Sequence, residues 1–224
     1  LYISSSCFPS RSDNIKFSLF ILNIQIIYPL LSILVFNLGF SQVDSEINFI
    51  SSDSIENYIK IKNLSFENQD IYVLKNLESF KTYSQGYLKS PVIYVFNSKG
   101  NYLDFIHNAN AEKKLSNFKK INRKPNKDYP DLKFWREKLI HFNSKQILEE
   151  RNSDFYFVLN WGFLHNDEES IELINHWYDV LKRHQDNGEN IKVVLLNIDL
   201  QDQWDLSPES RENVLKIVNA WKKK

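Results

Sequence analysis

The sequence DFYFVLNWGFL, at residues 154–164, decides the fold because it is a nearly unbroken apolar run in an otherwise mixed chain. A run of this kind predicts a strand that is buried on both faces, as in the interior of a parallel sheet. A second run, IKVVLLNIDL at residues 191–200, has the same character. Between the two runs, residues 171–181 space their apolar side chains as an amphipathic helix does. The pattern therefore predicts a βαβ unit with two adjacent parallel strands.

Further elements are predicted on both sides of this unit. Ser207 and Pro208 form an N-cap and a first helical position, which predicts a last helix through Trp221. Residues 70–75 predict a short strand, and NLESFKTYS after it predicts a brief helix. Residues 90–106, SPVIYVFNSKGNYLDFI, predict a hairpin with a glycine in its turn. Residues 110–120 and 132–148 are expected to be helical. The fold class expected is α/β, with a mixed sheet flanked by helices.

The N-terminal region predicts a targeting segment. Residues 15–40 are largely apolar and carry no charge after Lys16, while Arg11 precedes them and Gly39 and Ser41 follow as small residues. This is the layout of a signal peptide that is cut after Ser41. The run is also long enough for a membrane anchor, which needs about 20 apolar residues. A buried helix is the third alternative.

These patterns predict the domain organisation. Residues 1–41 are expected to form a signal peptide or membrane anchor, and residues 42–69 a polar linker with a helix or strand within it. Residues 70–224 then form the α/β domain. Residues 123–131 carry two prolines and mark the best internal boundary, so the alternative division is 70–122 and 132–224. The expected location is periplasmic, secreted, or membrane-anchored and facing outside the cytoplasm, with membrane contact only through the N-terminal segment.

Composition excludes several classes of function. The 28 basic and 28 acidic residues balance, so nothing indicates a nucleic-acid surface. Only five glycines occur, without a GxGxxG or GxxxxGK[ST] string, which excludes those nucleotide-binding loops. Cys7 is the only cysteine, so the chain cannot form an intramolecular disulfide, a CxxC pair or a multi-cysteine zinc site. No cofactor is expected. The chain has no methionine, which leaves open whether residues 1–14 belong to the native protein.

Two groups of segments resemble the thioredoxin-like domain of exported thiol-disulfide oxidoreductases. FYFVLNWGFLHNDEE and VVLLNIDLQDQW are similar to the strand, turn, helix and following strand of the family's front half. SPVIYVFNSKGNYLDF is similar to its later half, where an X-Pro pair precedes a strand and a glycine-turn hairpin. The order of the halves is reversed here. The resemblance therefore implies either a circularly permuted domain or two degenerate modules in tandem.

The resemblance also implies where a site would lie. Residues 164–168, LHNDE, stand where the family carries CxxC, and they contain no sulfur. Because the thiolate is the nucleophile in disulfide exchange, redox chemistry is not expected. The family's proline helps to bind extended peptides by backbone pairing. The resemblance thus implies that the Ser90–Pro91 bond is cis and lies against the His165 turn. The alternative is a trans proline that opens an edge strand.

The candidate binding residues are therefore Pro91, Trp161, His165, Asp167 and Glu168. His165 is interpreted either as a base or metal ligand or as a capping residue of the turn, and Trp161 either as a ligand platform or as core. Asp199 and Asp202 are expected to be solvated loop residues. His176 and His184, at a spacing of eight on one helix, are too far apart to share a metal ion.

The function expected is that of an exported, non-catalytic thioredoxin-like protein that binds or scaffolds an extended peptide or an envelope protein. Two alternatives remain at this point. One is an enzyme that uses a non-thiol site around His165. The other is a fragment of a larger redox protein whose cysteine-bearing part is absent from this chain.

Overall fold

Six strands and six helices make up the part of the chain that the structure describes. The computed structural model describes residues 47–222 except 88, 108–110, 122–123, 128, 150–151 and 163–166. The helices are α1 (Ser52–Ile61), α2 (Leu77–Ser84), α3 (Ala111–Ser116), α4 (Leu132–Arg136), α5 (Glu168–Asp186) and α6 (Pro208–Lys222). The strands are β1 (Ile71–Leu74), β2 (Val92–Asn97), β3 (Tyr102–Ile106), β4 (Leu139–His141), β5 (Phe155–Trp161) and β6 (Ile191–Asn197).

All six strands belong to one mixed sheet, in the order β3-β2-β5-β6-β1-β4. β5 and β6 are adjacent and parallel, as the two apolar runs predict. β2 joins the same sheet antiparallel to β5, and β3 lies outside it. The predicted parallel pair and the predicted hairpin of β2 and β3 are confirmed. The α/β class with a mixed sheet and flanking helices is confirmed with them.

Helices cover both faces of the sheet, which is why β5 and β6 are buried at every position. One face packs against α1, α3 and α5, whose buried residues include Ile55, Leu115 and Trp177. The opposite face packs against α2, α4 and α6, with Phe80 and Trp135 among the buried residues. Each central strand therefore contributes alternate side chains to two separate hydrophobic layers.

The ends of the helices follow the sequence signals. Asp167 caps α5, and the helix gives way to Asn187 and Gly188, whose φ of +83° suits a glycine. The Ser207 hydroxyl accepts a hydrogen bond from the Ser210 amide at 3.2 Å, just where Pro208 opens α6. The prediction of a helix that starts at Pro208 is confirmed, and α5 contains the helix predicted over residues 171–181.

The expectation of one helix over residues 132–148 is wrong. α4 has five residues, and β4 follows it and pairs antiparallel with β1. Leu139 is fully buried in this arrangement, and the register places it opposite Leu74. A three-residue strand is too short to produce a period in the sequence, so the tertiary pairing overrides the helical composition.

The region expected to be a polar linker contributes to the fold from Ile47 onward. Residues 47–224 form one compact unit, and α1 buries Ile55 and Ile59 in its core. Ile50 is tied to the chain beyond β6, since its amide donates to the Leu200 carbonyl at 2.8 Å. Segments 70–122 and 132–224, the alternative division, both supply strands to the single sheet.

The expected signal or anchor segment, residues 1–41, lies outside the described residues. Among the residues that are described, no helix is both long and apolar enough to cross a membrane.

Both outer strands of the sheet make contacts beyond their one partner strand. At β4, Ile140 forms an isolated antiparallel bridge with Ile147. At β3, the Tyr102 carbonyl accepts a hydrogen bond from the Asn126 amide at 2.9 Å. Asp104, also on β3, forms an ion pair with Lys114 at 2.7 Å.

Candidate functional site

The candidate site lies where the two central parallel strands end. β5 ends at Trp161 and β6 at Asn197, and these two residues are paired in the register. Ligands of α/β folds bind outside the carboxyl ends of the strands, because the loops that follow the strands meet there. Three parts of the chain meet at this edge: the segment before β2, Gly162 directly after β5, and the segment that follows β6.

Pro91 lies beside this edge, and its peptide bond to Ser90 is cis, as the resemblance implies, and not trans as in the alternative. Val92 pairs with Asn160, so continuing the antiparallel register by one residue brings Pro91 alongside Trp161. The Ser90 hydroxyl donates to the Asn160 carbonyl oxygen at 3.0 Å. Ser90 and Pro91 are half-buried, while Lys89 before them is exposed.

Asn160 holds the segment that leads into Pro91. Its side-chain amide is fully buried and donates to the carbonyl oxygens of Tyr87 at 2.9 Å and Lys89 at 3.0 Å. Its side-chain oxygen accepts a hydrogen bond from the Tyr83 hydroxyl at 2.8 Å. Burial holds the pKa of the Tyr83 phenol well above its ordinary value, so this group remains a donor. We call these contacts the Asn160 clamp.

Sequence reasoning missed the Asn160 clamp. Asn160 stands inside the apolar run of β5, where a single polar residue has no spacing signal. The signal that could have found it is chemical. A polar side chain in a strand predicted to be buried on both faces must find hydrogen-bond partners, because an unpaired buried amide is costly.

A second buried polar group follows β6. The Asn197 amide donates to the Asp199 carboxylate at 2.9 Å, and the Gln201 amide donates to the Asn197 side-chain oxygen at 2.9 Å. Asn197 and Asp199 have no exposed surface. The expectation that Asp199 is a solvated loop residue is therefore wrong. The chain after β6 is tied to the segment before α1, since the Leu200 carbonyl and the Asp202 amide both bond to Ile50.

Gly162 is packed against the Asp199 carboxylate. A Cβ atom added at Gly162 would lie 2.8 Å from one carboxylate oxygen and 3.0 Å from the other. Position 162 therefore accepts no side chain unless Asp199 moves. Asp202, the other acidic residue of this loop, is exposed and pairs with Arg211 at 2.5 Å.

Two carboxylates mark the start of α5. Asp167 caps the helix by accepting a hydrogen bond from the Ser170 amide at 2.8 Å, and hydrogen bonds from Ser170 lower the pKa of the Asp167 carboxyl. Glu168 forms an ion pair with Lys62 at the end of α1, at 2.7 Å. The hydrogen bond from Lys62 lowers the pKa of Glu168. His165, the remaining candidate in this turn, lies outside the described residues.

Trp161 belongs to the core. Its side chain is fully buried, and its ring packs edge-on against Phe66 with 5.1 Å between ring centroids. Tyr58 of α1 also lies near the Trp161 ring, with 6.5 Å between centroids. Burial raises the pKa of the Tyr58 hydroxyl, and the neighbouring Asp199 carboxylate raises it further. Trp161 thus supports α1 over the end of β5.

The histidines on α5 stand apart from this edge. His176 lies 3.5 Å from the Glu112 carboxylate, and the His184 ring packs edge-on against Phe118 at 4.9 Å. Within the described part of the chain, no three side chains of the His, Cys, Asp or Glu type come together as metal ligands.

Comparison of the chain with protein-family models, with curated proteins and with solved structures gives no match.

Proposed function

We propose that this chain is an exported thioredoxin-like binding module that is circularly permuted relative to the family it resembles. It binds extended peptide segments beside Ser90 and Pro91, and it carries out no dithiol chemistry. The observation that carries the proposal is the Asn160 clamp. The three side-chain hydrogen bonds of the clamp, and a fourth from the Ser90 hydroxyl to the Asn160 carbonyl oxygen, hold Tyr83, Tyr87, Lys89 and Ser90 against the end of β5. A surface that pairs with an extended partner needs a backbone held in one conformation.

The strand arrangement supports the permuted order. β5, α5, β6 and α6 have the sequence order of the family's front half. β2, β3 and α3 have the order of its later half, yet they precede the front half in the chain. The pairing of β2 with β5 joins the two halves in one sheet. β1 and β4 extend that sheet beyond β6.

The absence of dithiol chemistry follows from the cysteine count. Exchange between a dithiol and a disulfide requires two sulfur atoms in one site, and Cys7 is the only cysteine of the chain. Cys7 itself lies outside the described residues. A binding role at this edge needs no thiol.

The rim of the edge indicates what an occupant would contact. Ile61, at the end of α1, is 80% exposed, and it lies next to the Lys62 that pairs with Glu168 at the start of α5. Tyr58, one turn earlier, is half-buried. An extended peptide that runs from Ser90 past Gly162 toward α1 would place an apolar side chain against Ile61.

Peptide binding can be tested with two exposed isoleucines. Fluorescence anisotropy of the full chain with a panel of labelled extended peptides should find apolar-containing binders. Ile61→Glu should then weaken the best binder by about tenfold, or about 1.4 kcal/mol, because an apolar contact is lost. Ile217→Glu is the matched control, since Ile217 is 53% exposed on α6, which covers the opposite face of the sheet.

Two results would contradict the proposed site. One is the absence of binding by any peptide of the panel. The other is an equal loss of affinity in both variants, which would place the contact elsewhere or make it non-specific.

Export is tested separately. Expressed in a bacterium with its N-terminal region intact, the protein should reach the envelope fraction, and a cleaved form should begin near Gln42. Full-length soluble protein in the cytosol would overturn this part of the proposal.

The enzyme alternative is not favoured by the described residues. The carboxylates of Asp167 and Glu168 are both engaged, the first in capping α5 and the second in its ion pair with Lys62.

A further inference from the structure

A polar cavity of about 250 Å³ lies at the opposite end of the strands from the candidate site. It opens beside the start of β6, and its lining includes Asp70, Lys182, Gln185 and Lys192. Its volume falls just below the roughly 300–1,000 Å³ of pockets that bind drug-sized ligands. The space therefore suits one small molecule.

The strand register explains why the cavity exists. β1 begins opposite Leu195, so residues 191–194 of β6 have no residue of β1 alongside them. The place where β1 would have continued is bordered instead by the chain between β4 and β5, including Leu148, Asn152 and Ser153. The cavity is thus a gap in the sheet beside the first residues of β6.

The charged groups at the inner end of the cavity balance one another. The Asp70 carboxylate, 4% exposed, lies 2.8 Å from the Lys192 ammonium and 3.3 Å from the Lys182 ammonium. Lys182 also pairs with Glu67 at 2.9 Å. Burial by itself would lower the pKa of Lys182, but Glu67 and Asp70 outweigh it and raise the pKa, so Lys182 stays charged. The two lysines thus balance the carboxylates of Asp70 and Glu67 in this group, while Glu149 adds a further carboxylate to the lining of the cavity.

Hydrogen-bonding capacity is left over in this neutral group. Among the described residues, the Lys192 ammonium has one hydrogen-bond partner, Asp70, although it carries three N–H donors and its side chain is only 10% exposed. The Gln185 amide donates to the Ile191 carbonyl at 2.9 Å, but its buried oxygen has no hydrogen-bond partner within the described ranges. A donor and an acceptor therefore border one cavity, each with capacity to spare.

We propose that this cavity binds a small, neutral, hydroxyl-rich molecule of the size of a monosaccharide. A hydroxyl group both accepts and donates, so one ligand can accept from Lys192 and donate to Gln185. An anion would disturb the balanced pairs and leave the Gln185 oxygen without a donor. An apolar ligand would leave both groups unsatisfied, and a buried unsatisfied group is costly.

The test is isothermal titration calorimetry of the full chain, in a detergent without a sugar headgroup if one is needed. Glucose, galactose, mannose and glycerol are the neutral probes, and acetate and inorganic phosphate are the anionic ones. At least one neutral probe should bind in the millimolar range or more tightly, and the anions should not bind. Gln185→Leu should weaken that binding at least about threefold, because one hydrogen bond is lost. Gln203→Leu, at an exposed position outside the cavity, is the control.

Binding of the anions in preference to the neutral probes would overturn the proposal, as would the absence of heat from every neutral probe. Equal affinity of the two variants would also overturn it. A circular dichroism spectrum of each variant distinguishes a loss of binding heat from a loss of folded structure. None of these outcomes bears on the proposed peptide-binding site beside Pro91, since that site is tested separately by the Ile61 variant.

Discussion

Replacing Asn160 by aspartate tests the Asn160 clamp with almost no change of shape. The new carboxylate can still accept the hydrogen bond from the Tyr83 hydroxyl. It cannot donate to the carbonyl oxygens of Tyr87 and Lys89, which lie 2.9 and 3.0 Å from the amide nitrogen. Two hydrogen bonds are lost, and a negative charge faces two carbonyl oxygens at a position without exposed surface.

The expected loss is about 3–5 kcal/mol in the free energy of unfolding at pH 7. Together the two lost hydrogen bonds contribute about 1–3 kcal/mol, and the buried carboxylate that faces two carbonyl oxygens adds about 2 kcal/mol. Such a loss is a large part of the roughly 5–15 kcal/mol that stabilises a domain. Urea denaturation, followed by tryptophan fluorescence and by circular dichroism, measures it directly.

The loss should depend on pH with a definite sign. Burial and the two carbonyl oxygens disfavour the charged form, so the pKa of the new carboxyl in the folded state lies above its unfolded value. The penalty is therefore largest above the folded pKa. It shrinks as the pH falls toward the unfolded value of about 3.9, because a protonated carboxyl can donate one hydrogen bond.

Asn117→Asp is the control, because the Asn117 amide is exposed and makes a single long hydrogen bond of 3.4 Å. It should change the free energy of unfolding by no more than about 0.5 kcal/mol. A loss below about 1 kcal/mol in Asn160→Asp, or a loss that is the same at pH 7 and pH 4.5, would refute the clamp as an energetic feature.

Three further substitutions test other parts of the structure by the same denaturation assay. Gly162→Ala should lower the free energy of unfolding by about 1–3 kcal/mol, since its Cβ would press on the Asp199 carboxylate. An unchanged stability would show that this contact is loose. Lys192→Met should cost about 3 kcal/mol by leaving Asp70 with one buried cation fewer, and a neutral effect would mean that the pair is solvated. Asp167→Ala should lower the denaturation midpoint above about pH 4. The pKa of Asp167 is lowered in the folded protein, so its ionised carboxylate is the form that stabilises α5. The difference between the variant and the wild type should therefore disappear in acid. A midpoint difference for Asp167→Ala that persists in acid would rule out the charged cap.

The central part of the fold could be predicted because its signals are local and strong. β5 and β6 are largely apolar and buried at every position, α5 carries its own start and stop residues, and α6 carries its own start. Other elements have no such signal. α1 belongs to a polar segment and buries two residues, Ile55 and Ile59. Two residues make an apolar stripe that is too narrow to be recognised in the sequence. β4 forms because it pairs with β1. It has only three residues, which are too few to show the alternating pattern of a strand in the sequence.

The candidate site could be predicted in part. The hairpin of β2 and β3 and the apolar run of β5 have clear patterns, and the register brings Pro91 to the end of β5, while the predicted contact with the His165 turn lies outside the described residues. Asn160 and Asp199 were not recognised as buried partners. Their roles depend on which loops fold over them, and that information resides in contacts distant along the chain, such as the bond from Tyr83 to Asn160.

The contacts at the two outer strands have a consequence for self-association. An open strand edge invites the same strand of another molecule to add to the sheet, and repeated addition leads to aggregates. Here Ile147 occupies a position beside β4, and Asn126 bonds to β3 at Tyr102. The charged pair of Asp104 and Lys114 makes further addition along β3 costly. At these positions the chain limits the growth of its own sheet, which favours a protein that stays dispersed where it is crowded.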